Sequence, residues 1–274
     1  MKNIVFEEFK NKHEGQRVFI VANGPSLAET NLDLLKNETT IAMNRISLIY
    51  DKNPKWKPTY YLFSSTNVRN PVWGSAWTES VRESASNPET TSFIARMFKP
   101  TIDPKNKYPQ IKWFDSMSEN KPDTSGNILE TCFSTNVVDR IDKSATTISL
   151  ALQLSYYMGF SEIIFVGADL GWTADRGSTS DPNHFDKSYR ADIPENKVYK
   201  ANNQMRNIHS LAYKKFLEKD KNIKFFNASK ETKLDVYPII NFEEYVLNNK
   251  IVYEDEKMTN AEAFWDKPHQ FKIN

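Results

Sequence analysis

A chain of 274 residues can bury a full core without outside support and lies near the upper edge of ordinary single-domain length. Its 36 basic and 35 acidic residues leave a formal net charge of +1, so no global field points to nucleic acid or to an anionic membrane. A single cysteine, Cys132, excludes an internal disulfide framework and, with only four histidines, argues against a Cys/His zinc cluster; a reducing cytoplasm is the expected compartment. The amino terminus lacks the apolar centre of a signal peptide, and no stretch approaches about 18 consecutive apolar residues, so a transmembrane segment is not expected. Peripheral membrane contact and homo-oligomer formation stay open.

The run 17–22 is apolar and stops abruptly at Asn23-Gly24-Pro25-Ser26, as a buried strand does on entering a turn, and Ser26 is the expected cap of a following helix. The runs 40–44 and 59–64 also finish on small polar residues, which places three strand ends on one shared edge. Residues 71–142, rich in Trp, Ser, Asn and Pro, carry only short strand signals at 92–94 and 111–114 and are expected to form an inserted irregular subdomain. A helix is predicted over 146–158 with Gly159 as its stop, followed by a strand at 163–166 that closes on Gly167-Ala168-Asp169. The polar stretch 171–202 reads as a lid or acceptor loop. Beyond it a helix over 203–220 and a strand at 223–226 complete the pattern, and 251–274 forms a tail. Alternating helix and strand predicts an α/β fold, a doubly wound, largely parallel, Rossmann-like sheet, within one nucleotide-binding domain spanning 1–250.

The candidate site residues gather at the polar ends of these strands. Asn23, Gly24, Pro25 and Ser26 stand between strand and helix, where backbone N–H groups and the helix dipole favour an anion. This is neither the three-glycine dinucleotide fingerprint nor a P-loop, and a plain structural turn is the competing reading. Asn44 and Arg45 hold the equivalent place after the second strand; Arg45 is a candidate for a phosphate or for an exposed salt bridge. Ser64, Ser65, Thr66 and Asn67 follow the third strand. Thr146 and Thr147 open a helix, offering hydroxyls either to a ligand or to capping. Gly167, Ala168, Asp169 and Leu170 close another strand, where Asp169 can accept from ribose hydroxyls or hold a cation. Asn183 and His184, within Asp181-Pro182-Asn183-His184-Phe185-Asp186, are the candidates for proton transfer. His209 sits beside the apolar face of its helix, as a core-edge histidine would.

The order Val-Ala-Asn-Gly-Pro-Ser-Leu, Ala-Met-Asn-Arg, the Thr146-Thr147 helix ending Met158-Gly159-Phe160, and Phe165-Val166-Gly167-Ala168-Asp169 resembles two related groups. One is the bacterial sialyltransferases that use CMP-sialic acid. The other is the 6-hydroxymethylpterin pyrophosphokinase-like family, whose polysaccharide-associated branch shows similar Asp-Pro-Asn-His-Phe and Lys-Leu-Asp-Val-Tyr-Pro segments, here 181–185 and 233–238. The resemblance runs from about 18 to 246 and finds no match in 71–142. The first group implies a sialyltransferase-like fold with Asn23, Asn44 and the turn 64–67 around the donor. It also implies Thr146 and Thr147 near the donor carboxylate or phosphate, and 167–170 beside the cytidine. Where that group has phosphate-steadying tyrosines this chain has Asn183-His184 and Gly171-Trp172, and where it has its base histidine this chain has Lys200-Ala201-Asn202, which leaves His184 as the substitute.

The expected function is therefore a glycosyltransferase that moves a CMP-linked, sialic-acid-like keto-acid sugar to a cell-surface glycan such as lipopolysaccharide, with no required cofactor. Two readings compete with it. One is a Mg²⁺-dependent pyrophosphokinase using Asp169 with Asp181 or Asp186; the other is a non-catalytic nucleotide-sugar-binding protein.

Overall fold

The computed structural model describes residues 2–117, 132–143, 146–173, 181–189 and 195–252, the side chains of 195–201 excepted. Among these, seven parallel strands form one sheet in the order β5-β4-β3-β2-β1-β6-β7. The strands are β1 (Arg17–Val21), β2 (Thr40–Met43), β3 (Tyr60–Phe63), β4 (Thr91–Ala95), β5 (Lys112–Phe114), β6 (Glu162–Val166) and β7 (Lys224–Asn227). β2 and β3 are buried along their whole length, and β1 and β6 beyond their first residue, as expected of parallel strands covered on both faces. Their apolar runs were legible for this reason. Among the described residues no helix is long and apolar enough to cross a membrane.

The chain steps outward from β1 through β2 to β5 and then returns to the other side of β1 as β6 and β7. The order reverses between β1 and β6, and loops leaving the carboxyl ends of two such strands diverge and open a crevice. The register levels those ends: Val21 lies opposite Val166 and Ala42, Met43 opposite Leu62, and Phe63 opposite Ile94. Asn23, Asn44, Ser64 and Gly167 consequently share one edge.

Three expectations are corrected. Residues 71–142 are no irregular insertion: they contain α1 (Gly74–Ser86), β4, α2 (Lys99–Ile102) and β5, and extend the same sheet. β5 has three residues, too few for an apolar period to register. After β1 there is no α-helix; Pro25–Glu29 is a single five-residue 3-10 turn whose N-cap is Gly24 and which has no side-chain cap. The polar lid is also shorter than expected, since α4 (Glu195–Lys219) already begins within 171–202 and Tyr189 belongs to the core. Residues 174–180, 190–194 and the tail beyond 252 lie outside the described residues.

α3 (Thr147–Met158) crosses β1, β2 and β3, and every residue but Tyr156 is buried. Gly159 ends it at φ 85°, a left-handed conformation that its lack of a Cβ permits. The segment before α3 is fixed to it by Gln153. Its Nε2 donates to the carbonyls of Asp142 (2.7 Å) and Ser149 (2.8 Å), and its Oε1 accepts from the backbone N–H of Ser134 (3.0 Å) and Asp142 (3.1 Å). One buried amide thus ties the backbone at 134, 142 and 149 together. Gln153→Ala breaks these bonds and is expected to lower stability by about 2–4 kcal/mol, read as a shift of the urea midpoint with an unchanged slope.

Candidate functional site

The loops after β1 and β6 meet at the strand-order reversal. The Gly24 N–H donates to the Gly167 carbonyl at 2.8 Å. Asp169 accepts the Ser26 N–H at 2.7 Å and the Ser26 hydroxyl at 2.5 Å. A Cβ on Gly24 would stand 2.5 Å from Asp169 Oδ2 and 2.6 Å from the Gly167 oxygen, so only glycine lets the loops approach this closely. Burial pushes the Asp169 carboxyl above the ordinary aspartate range, opposed by the two Ser26 donors. The expected anion cradle at this turn is therefore filled from within: Pro25 has no N–H, and those of Gly24 and Ser26 are spent on Gly167 and Asp169.

A cavity of about 90 Å³ opens beside this junction, lined by Asn23, Gly24, Asp169, Leu170, His209 and Leu234 among others. A second, of about 260 Å³, adjoins it, lined among others by Ser64, Asn67, Lys143, Thr147 and Gln204. Asn44, Thr146, Trp172, His184, Tyr189 and Met205 face both. Pro25, Ser26, Arg45 and Thr66 line neither.

Asn23 is buried; its Nδ2 donates to the Met43 carbonyl at 3.2 Å, and its Oδ1 has no partner among the described residues. The Met43 contact fixes which end of the amide is which. Asn44 adopts φ 57°, with its carbonyl accepting from the Tyr61 hydroxyl at 2.5 Å and its Oδ1 accepting from Thr147 Oγ1 at 3.1 Å. Thr146 caps α3, its hydroxyl accepting from the Ile148 N–H at 3.1 Å. Ser65 likewise caps a short turn by accepting from the Asn67 N–H, whereas the buried Ser64 hydroxyl has no partner among the described residues.

Arg45 is neither exposed nor turned to a phosphate site. It is buried and donates from one Nη to the carbonyls of Ser188 (2.7 Å) and Tyr189 (2.8 Å), with the rings of Trp77 and Tyr189 about it. Burial lowers its pKa from the usual arginine range. It clamps the 181–189 loop down on the strand ends. Within that loop His184 Nδ1 lies 2.7 Å from Asp181 Oδ2, with side chains only 9% and 2% exposed. The imidazole stacks on Tyr189 at 3.9 Å between centroids and 6° between planes, and meets the edge of Trp172. A carboxylate on Nδ1 holds the proton there and leaves the lone pair on Nε2. This pairing was not read from the sequence, although an i, i+3 spacing in a tight turn is its signal.

Asn183, expected to be catalytic, has both amide ends engaged: its Oδ1 accepts from the Thr173 N–H at 2.7 Å and its Nδ2 donates to the Thr173 carbonyl at 3.0 Å. It is a positioning residue that pins 171–173. Asn202, where the sialyltransferase pattern calls for a histidine, makes the same pair of bonds to Trp172. The three carboxylates considered for Mg²⁺ are also engaged. Asp169 holds Ser26; Asp181 holds His184 and the Asn183 N–H; Asp186 accepts from the Ser188 N–H and hydroxyl. Among the described residues no group of three His, Cys, Asp or Glu could hold a metal ion. Lys143, facing the second cavity, was missed altogether because no motif surrounds it.

Strand order and cavities together define an open, parallel α/β protein with its crevice at the strand-order reversal. No protein-family model matches the chain, and no curated protein matches it in sequence. Among solved structures it is similar to the sialyltransferase CstII from Campylobacter jejuni in complex with the substrate analogue CMP-3FNeuAc. The identity is 17%, covering 80% of this chain and 83% of that one, with a TM-score of 0.40. CST-II with a trisaccharide acceptor and CMP gives the same values. The monofunctional alpha-2,3-sialyltransferase Cst-I from Campylobacter jejuni is 15% identical, covers 92% of each chain and has a TM-score of 0.43. The resemblance to the pyrophosphokinase-like family rests on the quoted motifs alone.

His209 is a core residue, as expected. It is 2% exposed, with Nδ1 at 3.0 Å from the Tyr237 hydroxyl, and burial lowers its pKa to about 3. The unfolded chain takes up its proton near the ordinary histidine value while the folded chain does not, so stability is full above that value and falls as pH drops towards 3. The expected loss is up to about 1.4 kcal/mol per pH unit in that window, and His209→Phe is expected to flatten it in urea titrations run across pH.

Proposed function

We propose that the chain is a glycosyltransferase that binds a CMP-activated keto-acid sugar across the two cavities and transfers the sugar to a glycan hydroxyl. The Asp181–His184 pair carries this reading, because it places an oriented imidazole where the two cavities join. In the proposed step His184 Nε2 takes the proton of the acceptor hydroxyl as its oxygen bonds to the anomeric carbon. The bond from that carbon to the phosphate oxygen breaks, and CMP leaves with the electron pair.

The first cavity supports a cytidine donor. Asn23 Oδ1 is a buried acceptor that its own Nδ2 contact prevents from turning over, so it calls for a donor on the ligand. The amino group of cytosine, or a ribose hydroxyl, supplies one; uracil presents a carbonyl in the place of that amino group. Asn23→Ala is expected to weaken CMP binding roughly tenfold, about 1.4 kcal/mol, with little change in the denaturation midpoint. The engagement of Asp169, Asp181 and Asp186 by protein donors favours this reading over a Mg²⁺-dependent pyrophosphokinase.

A thermal-shift panel of CMP, CDP, UDP, GDP and ATP, each with and without Mg²⁺, tests the nucleotide. Cytidine nucleotides are expected to give the largest shift without metal. Stabilisation by ATP with Mg²⁺ alone would transfer the proposal to the pyrophosphokinase. For turnover, release of CMP from a CMP-linked keto-acid sugar in the presence of glycan acceptor is expected to fall roughly a hundredfold to ten-thousandfold in His184→Ala. Asp181→Asn, which upsets the tautomer, is expected to slow the reaction with nucleotide affinity unchanged. Full activity in both variants would remove His184 from the proton-transfer role, and the absence of CMP release from the wild type would leave a nucleotide-sugar-binding protein as the better reading.

A further inference from the structure

We infer that the second cavity is an anion subsite in which Lys143, the Ser64 hydroxyl and the free amide end of Asn44 receive a phosphate or carboxylate group of the substrate. This deepens the nucleotide-sugar proposal by stating where the charged part of the donor sits, but the subsite itself rests on geometry that does not require a nucleotide.

The side chains facing this cavity are uneven in chemistry. Among the described residues neither an aspartate nor a glutamate lines it. Lys143 brings a cation and has no ion-pair or hydrogen-bond partner for its ammonium among the described residues. Ser64 is 1% exposed, and its hydroxyl has no partner among the described residues. Asn44 spends its Oδ1 on the Thr147 hydroxyl, which leaves the N–H end of the amide for a ligand. A cation and two donor groups around one cavity, with no carboxylate among the described lining residues, are complementary to an anionic oxygen group.

The backbone that carries the lysine is also fixed. The Lys143 N–H donates to the Met117 carbonyl at 3.0 Å, and the preceding Asp142 is held through both its N–H and its carbonyl by Gln153. A lysine held at a cavity wall pays for desolvation unless a counter-charge arrives, and burial accordingly lowers its pKa to about 8. The ligand would supply the missing counter-charge. The arrangement also explains why the turn at Gly24–Ser26, filled by Asp169, need not bind the anion: the cation stands on the far side of Asn44 and Thr146, in the second cavity.

Isothermal titration with inorganic phosphate and, separately, with pyruvate distinguishes a phosphate subsite from a carboxylate subsite. Wild-type protein is expected to bind at least one of them at neutral pH. Lys143→Gln is expected to weaken that binding roughly tenfold to a hundredfold, and Lys143→Arg, which keeps the charge, to retain most of it. Affinity should hold up to about pH 8 and fall above it in wild type, and this fall should vanish in Lys143→Gln. The comparison is needed because His184 and Tyr189 face the same cavity from the 181–189 loop, and Asp142, paired with Arg140, is the chain neighbour. Among the described residues the loop after β3 and α4 contribute Ser64, Ser65, Asn67, Gln204 and Met205, none of which titrates here. Equal affinity in wild type and Lys143→Gln overturns the inference, as does failure of wild type to bind either anion. Anion binding that depends on Lys143 in a protein that ignores CMP would retain the subsite and remove the nucleotide proposal.

Discussion

The carboxylate of Asp169 accepts both the N–H and the hydroxyl of Ser26, while Gly24 closes against the Gly167 carbonyl beneath it. This contact joins the loops of β1 and β6 where the strand order reverses, the place where an open parallel sheet would otherwise gape. Much of the site follows from it. With the turn tied off, Asn23 is held with its Nδ2 on the Met43 carbonyl and its Oδ1 unmatched among the described residues. Asp169 in turn is no longer a free carboxylate for a cation. A pattern that resembles an anion-binding turn in sequence thus becomes an internal tie.

The second constraint is electrostatic. Arg45 is a buried cation whose partners are two main-chain carbonyls and two aromatic faces. Removing one partner from such a group leaves a stranded charge, so the 181–189 loop and the end of β2 stabilise one another. The loop in turn sets His184 against Tyr189 and Asp181, and Asn183 extends the same rigidity to 171–173. The imidazole is therefore held by stacking, a hydrogen-bonded carboxylate and a clamped backbone together.

Much of this was legible in the sequence because buried parallel strands are continuous apolar runs that stop at polar turns. The ends of β1, β2, β3 and β6 could be placed within a residue or so, and with them the shared edge. β4 and β5 were visible as short apolar runs, yet their membership of the main sheet was not, since three residues such as Lys112–Phe114 carry no period. The roles of individual side chains were less legible, because their partners lie far away in the chain. Arg45 meets carbonyls 143 and 144 residues on, and Ser26 meets a carboxylate 143 residues on. Lys143 was missed for a related reason: only the fold brings it beside Ser64 and Asn44. Asp181 and His184, three residues apart, could have been paired from spacing alone.

The central claim is that a nucleotide donor spans the two cavities, with its anionic part displaced from the β1 turn towards Lys143. A crystal structure with bound CMP tests it most directly. The account predicts the cytosine or ribose donating to Asn23 Oδ1, the phosphate beside Lys143 and Ser64, and the Asp169–Ser26 contact intact. A phosphate seated on the Ser26 N–H with Asp169 displaced, or a nucleotide bound outside both cavities, would contradict it.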